Sequence, residues 1–201
     1  MPARSILIAT KNPGKVREFA QALEPEGFEV LGIDRLSDTT EVEETGETFA
    51  ANARLKAEGY SSRTTMLVLA DDSGIEVDAL DGAPGVNSAR YGGPTLDDDG
   101  RNRLLLRELE GVPDEKRGAR FRCVLALARE GKTLATFDGV IEGRINHGPE
   151  GDNGFGYDPL FFHPPSGCTT AQLAPADKQK VSHRGQAIAV LLDALRRGTI
   201  R

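Results

Sequence analysis

The stretch Met66-Leu67-Val68-Leu69-Ala70-Asp71-Asp72-Ser73-Gly74 decides how this chain is read. Five apolar residues in succession, without the polar alternation of a half-exposed strand, predict a buried strand over 66–70. It runs straight into two carboxylates. In α/β sheets the carboxyl ends of such strands face the ligand crevice, so Asp71 and Asp72 are candidates for chemistry. Neighbouring residues on a strand point to opposite faces, which predicts that one acid is buried or turned inward. A solvated acidic turn is the competing reading.

Working outward toward the N-terminus, residues 5–9 predict a short buried strand. Asn12 and Pro13 then fit the cap and first position of a helix over 14–23, with Val16, Phe19, Ala20 and Leu23 at helical spacing. Gly27 closes that helix and 29–33 predicts a second strand. Residues 37–46 are polar and acidic, hence a loop, and a helix is expected over 48–60 with Phe49, Ala53, Lys56 and Tyr60 on one stripe. Toward the C-terminus the pattern gives a strand at 75–80, turns at 82–93 and a helix at 94–110. Paired strands at 118–128 and 132–144 flank the Glu130-Gly131 turn. A strand at 159–162 and an amphipathic helix at 183–197 follow, the latter with Ala187, Val190, Leu191, Ala194 and Leu195 inward. Alternating helices and strands with a central hairpin predict an α/β protein with a mixed central sheet flanked by helices, in one domain over 1–201.

Bulk properties narrow the partners. The 201 residues are 38% hydrophobic and 28% charged, with a formal charge of −6, which argues against broad binding to nucleic acid or anionic membrane. The first apolar run, residues 6–9, is far too short for a signal segment or a membrane span. Cys123 and Cys168 form no CxxC pattern, and Cys123 reads as a core residue. A cytoplasmic location is expected.

Three further groups carry chemical promise. Asn153-Gly154-Phe155-Gly156-Tyr157-Asp158-Pro159 sets aromatic rings and a carboxylate among glycines, which allow close backbone approach to a flat heterocycle. Lys178, His183 and Arg184 follow as a cluster of donors, and together these residues point to a purine site. Thr10-Lys11-Asn12-Pro13-Gly14-Lys15 lies between strand and helix, where free amides and the dipole bind anions; a capped helix with exposed lysines would look the same. Glu43 and Glu44 offer the hard oxygens that magnesium prefers, or else a solvated loop. Asn52 and Lys56 either border the second helix or line a phosphate site. Asp97-Asp98-Asp99 is expected to begin a helix, Arg90 to lie at the surface, and His147 and His163 to be structural or exposed.

The ordered motifs TKNPGK (10–15), EETGETFAANA (43–53), ADDSGIEVDAL (70–80), GAPGVNSARYGG (82–93), DNGFGYDPLF (152–161) and SHRGQA (182–187) closely resemble those of the inosine/xanthosine triphosphate pyrophosphatases. The resemblance spans nearly the whole chain. It implies two lobes around an active-site cleft, a homodimer, and hydrolysis of non-standard purine nucleoside triphosphates to monophosphate and pyrophosphate. It further implies that Thr10, Lys11, Asn12, Pro13, Gly14 and Lys15 bind phosphates, and that Glu44 and Asp72 coordinate Mg2+. Asp72 is implied as the proton acceptor and Ser73 as a substrate contact. Phe155, Gly156, Tyr157, Asp158, Lys178, His183 and Arg184 would hold the nucleoside. Two departures are small: Lys11 fills a variable slot, and Tyr157 stands where some members carry tryptophan. A P-loop kinase lacks support, because the leading glycine is missing and Val16 replaces the metal-binding hydroxyl. The residues also leave open a pyrophosphatase of broader base specificity and a non-catalytic nucleotide sensor.

Overall fold

A computed structural model describes residues 4–200, so the two ends of the expected 1–201 domain lie outside the described residues. Seven strands form one sheet in the order β2-β1-β3-β4-β5-β6-β7. They are β1 (Arg4–Ile8), β2 (Phe28–Gly32), β3 (Leu67–Val77), β4 (Gly118–Arg129), β5 (Lys132–Ile145), β6 (Phe161–His163) and β7 (Cys168–Thr169). β1 pairs in parallel with β2 and β3, whereas β6 pairs antiparallel with β5 and β7. The sheet is mixed, as the sequence predicts. Among the described residues five α-helices accompany it: α1 (Pro13–Leu23), α2 (Phe49–Ser61), α3 (Asp98–Glu108), α4 (Pro175–Val181) and α5 (His183–Arg196).

The chain separates into two compact units whose borders fall inside β3, β4, β5 and the start of α5, at residues 72/73, 122/123, 138/139 and 184/185. In the first unit, Ile6, Ile8, Leu69, Leu125 and Leu127 of the strands pack with Phe19 and Leu23 of α1 and with Ala187, Ile188 and Leu191 of α5. In the second, Ile75, Val77, Phe121 and Ile141 pack with Leu105 and Leu109 of α3 and with Leu160 and Phe161. Burying a side chain of this size stabilises by about 1.5–3 kcal/mol, so each unit has a substantial core of its own.

Local chemistry explains several elements. The Asn12 side chain accepts from the Gly14 and Lys15 amides at 2.8 and 3.2 Å, and Pro13 starts α1. Thr48 caps α2 through the Ala51 amide at 3.1 Å. Glu130 and Gly131 both adopt positive φ, 50° and 75°, as a two-residue hairpin between right-twisted strands requires.

Four expectations need correction. The strands foreseen at 66–70 and 75–80 are one strand, β3, because Asp71 and Asp72 find buried partners and need no turn. The helix foreseen at 94–110 begins only at Asp98: the Asp97 carboxylate accepts from the Gly100 amide at 2.8 Å and so caps it. The strand foreseen at 159–162 is displaced to Phe161–His163, since the Leu160 and Phe161 amides bond back to the Tyr157 carbonyl in a turn. On α5, Ala187 and Leu191 are buried, but Val190 faces outward and is 50% exposed. The short helix α4 and strand β7 have no counterpart in the sequence reading.

Candidate active site

In the first unit, five charged side chains converge around the middle of β3. Asp71 is 1% exposed and Asp72 6%. Both acids are therefore buried, and each has its own cation. The Lys15 ammonium donates to Asp71 Oδ1, and the Cys123 thiol donates to Asp71 Oδ2 at 3.1 Å. Cys123 is thus a core residue with a polar contact that its apolar surroundings in sequence did not reveal. Lys56, on α2, donates to the Asp71 carbonyl at 2.7 Å and lies 3.3 Å from both Asp72 Oδ1 and Glu44 Oε1.

Burial pulls the Lys56 ammonium down, but Asp72, Glu44 and Asp71 outweigh it and hold its pKa above the ordinary lysine value. Burial pushes the Asp72 carboxyl above its ordinary value, with Glu44 and Asp71 adding to the rise and Lys56 and Lys15 opposing it. Asp72 Oδ2 is buried and has no hydrogen-bond partner. A buried acceptor without a partner carries a free-energy cost of about 1–3 kcal/mol.

The loop that carries Glu44 is fixed by α2. Asn52 is fully buried and its Oδ1 accepts from the Gly46 amide at 2.8 Å. A Cβ at position 46 would come within 2.7 Å of that same oxygen, so only glycine fits. Asn52 serves the site by holding its loop, a role between the two that its spacing allowed. Among the phosphate-binding candidates, the Gly14 and Lys15 amides are taken up by the Asn12 cap, and Lys11 forms an exposed ion pair with Glu41. Thr10 accepts from the Asn12 amide at 3.1 Å. Of this segment, Lys15 is the residue drawn into the carboxylate cluster. Glu43 has no part in it.

The second unit gathers the aromatic and cationic candidates. Asp158 is 3% exposed and organises its loop. Its Oδ2 accepts from the Phe155 amide at 2.9 Å and from Lys178 Nζ at 2.6 Å, and its Oδ1 from Thr170 at 2.8 Å. Gly154 has φ 82° and its hydrogen faces the Asp158 carboxylate, where a Cβ would meet Oδ2 at 2.1 Å. α3 grips the next glycine: the Gly156 amide donates to Asp98 at 2.8 Å and its carbonyl accepts from Asn102 at 3.0 Å.

The result is a partly exposed Phe155 ring with Lys178 Nζ 4.9 Å and Arg184 Cζ 5.6 Å from its centroid. Arg184 also donates to the Ser73 hydroxyl at 2.8 Å, and His183 stacks on Phe121. Tyr157 differs from its neighbours. Its ring lies in the core and its hydroxyl donates to the Ser88 carbonyl at 2.9 Å. Burial pushes that phenol well above its ordinary value, so it stays neutral.

The structure therefore brings Lys15, Glu44 and Asp72 together in one unit, and Ser73, Phe155, Gly156, Asp158, Lys178, His183 and Arg184 in the other. The spacing of the sequence did not point to Asp98, Asn102, Phe121 or Thr170, because each is recruited from a distant element. His147 pairs at the surface with Asp114, and His163 bonds Ser166 at 2.7 Å, both away from these groups. Arg90 is exposed and bonds Asn87. Among the described residues no helix is long and apolar enough to cross a membrane.

Comparison with known proteins agrees with this arrangement. Residues 6–194 match the model of the Ham1 family. The dITP/XTP pyrophosphatase of Bacillus licheniformis is 49% identical over 188 residues, covering 94% of this chain and 96% of that protein. The dITP/XTP pyrophosphatase of Geobacillus kaustophilus is 50% identical over 188 residues, with 94% and 92% covered. Among solved structures, a HAM1 protein from Coxiella burnetii is 39% identical and matches with a TM-score of 0.87, over 96% of this chain and 98% of that one. A family match over nearly the full length, with two sets of polar residues assembled from its motifs, leaves one conclusion: the chain belongs to the Ham1 family.

Proposed function

We propose that this protein hydrolyses non-standard purine nucleoside triphosphates, ITP and dITP or XTP and dXTP, to the monophosphate and pyrophosphate. The observation that carries the reading is the carboxylate cluster: Glu44 and Asp72 meet at one cation, Lys56, while the second Asp72 oxygen is buried without a partner.

Two convergent hard donors and an orphaned oxygen fit Mg2+, which binds through one or two carboxylates and completes its shell with water and phosphate. No cage of three or more His, Cys, Asp or Glu side chains exists among the described residues, and such an ion needs none. When bound at Glu44 and Asp72, magnesium would neutralise triphosphate charge and lower the pKa of a coordinated water. A carboxylate on a metal is a poor base, so Asp72 is assigned mainly to orient the attacking water. Lys15 carries positive charge toward the phosphates, and Lys56 holds Glu44 and Asp72 in register.

The second group is assigned to the nucleoside. Phe155 offers a face for the purine, and Lys178, His183 and Arg184 offer donors to a 6-oxo group. An adenine amino group would confront those donors, and a buried unpaired polar group costs about 1–3 kcal/mol, roughly tenfold to a hundredfold in discrimination. Guanine shares the 6-oxo group, so its rejection lies at position 2. The active assembly is taken as a homodimer, as the family resemblance implies, and its location as cytoplasmic, as the sequence reading expects.

Incubation with ITP, with and without magnesium, tests the reading. IMP and pyrophosphate should appear only with the metal, and ATP should turn over at least tenfold more slowly. Release of IDP and phosphate, binding without turnover, or equal rates for ATP and ITP would each overturn it.

A further inference from the structure

His183 sits at the start of α5 and is 6% exposed. Its imidazole stacks on the Phe121 ring of β4, with centroids 4.8 Å apart and planes 14° from parallel. Phe121 in turn meets Phe161 at 4.6 Å with a 45° tilt, and both phenylalanines belong to the core of the second unit. The last torsion of a histidine is broad and roughly two-fold, so the backbone alone does not fix the plane of the ring. An N–H···O bond weakens steeply once misaligned, so a donor that must discriminate one atom needs its plane fixed. A phenyl ring brings no hydrogen bond of its own. What it offers His183 is a flat surface, held still by the core behind it.

We propose that Phe121 is a specificity-determining positioning residue: it sets the plane of the His183 imidazole and, through it, the preference for a 6-oxo over a 6-amino purine. The inference rests on the assignment of His183 to the nucleoside.

The experiment measures kcat/KM for ITP and ATP on the same preparations of the full chain. Their ratio is independent of the folded fraction, which separates selectivity from stability. Phe121→Leu should lower the ITP:ATP ratio about three- to tenfold, the range of an aromatic pair expressed as an equilibrium factor. Phe121→Tyr, which keeps the ring, should hold the ratio within about twofold. Ile141→Val loosens the same core while leaving the aromatic stack its three rings, and should lower Tm with the ratio unchanged. Should Phe121→Leu fail to fold, Phe121→Met carries the same expectation, since it also lacks a flat face.

If Phe121→Leu lowers Tm and both rates equally while His183→Ala changes the ratio, the role of Phe121 is structural and the inference fails. If His183→Ala also leaves the ratio unchanged, the assignment of His183 fails and takes the inference with it. A ratio that moves equally in Ile141→Val would likewise overturn the specific role of the ring.

Discussion

The carboxylate cluster of the first unit and the aromatic cluster of the second use opposite chemistry. Around β3 every charged group is matched by another: Lys15 with Asp71, Lys56 with Asp72 and Glu44. Around Phe155 a buried ion pair, Lys178–Asp158, shapes a loop whose product is an aromatic face flanked by cations. Buried ion pairs contribute little net stability once desolvation is counted, so the first cluster is best explained by what it can bind. The second cluster uses its charge to hold backbone, since Asp158 ties down the Phe155 amide, Thr170 and Lys178. In the proposed function, one region supplies charges for a metal and phosphates, while the other converts charge into shape.

That contrast can be broken experimentally, beginning with the largest effect. Asp72→Asn should reduce pyrophosphate release from ITP by roughly 10²–10⁴-fold at saturating magnesium. Because burial already disfavours the charged form of Asp72, the variant should keep or slightly raise its thermal stability. A substantial surviving rate would remove Asp72 from the reaction. Lys178→Met should do the reverse and destabilise the protein by about 3–5 kcal/mol, since it leaves Asp158 charged and buried. Urea unfolding would measure this, and the double variant Lys178→Met, Asp158→Leu should recover part of the loss. If Lys178→Met were neutral in stability, the ion pair would not be what shapes the loop.

Asn52→Ala sharpens the comparison at smaller scale. It strands the Gly46 amide and should cost about 1–3 kcal/mol, with a rise in the magnesium concentration needed for half-maximal rate as Glu44 loosens. An unchanged magnesium requirement would separate Asn52 from the proposed metal site.

The smallest effect concerns pH. Burial holds His163 in the second unit below the ordinary imidazole value. The unfolded chain therefore takes up the proton first, so stability present at neutral pH falls as pH drops through the ordinary histidine range and levels off below the folded value. Equilibrium unfolding at stepped pH should show this slope, and His163→Gln should flatten it. A slope unaltered by His163→Gln would assign it to another group.

Much of this was legible in the chain because the signals are local. Asn12 and Pro13 start α1 by contacts within three residues, and Glu130-Gly131 closes a hairpin by its own backbone angles. The α/β class follows from such elements in series. Other features were hidden because their causes are remote. Asp-Asp-Ser-Gly reads as a turn, yet β3 continues because Asp71 meets Lys15 and Cys123 from 56 and 52 residues away. α4 is only seven residues long, too short for a periodic pattern to reveal. Val190 fits the apolar stripe of α5 but is half exposed, while Ala187, Ile188 and Leu191 enter the core.

By itself the sequence determined the inventory: which acids, cations and rings exist, and the mixed α/β frame that holds them. Local propensities and motif order suffice for that. Tertiary structure alone decided which of these residues meet. It buried both Asp71 and Asp72, gave Lys56 the task of joining Glu44 to Asp72, turned Tyr157 into the core and set Phe121 against His183. The reason is physical: the pKa of a carboxylate and the plane of a ring are set by whatever packs against them in three dimensions, and those neighbours are seldom adjacent in the chain.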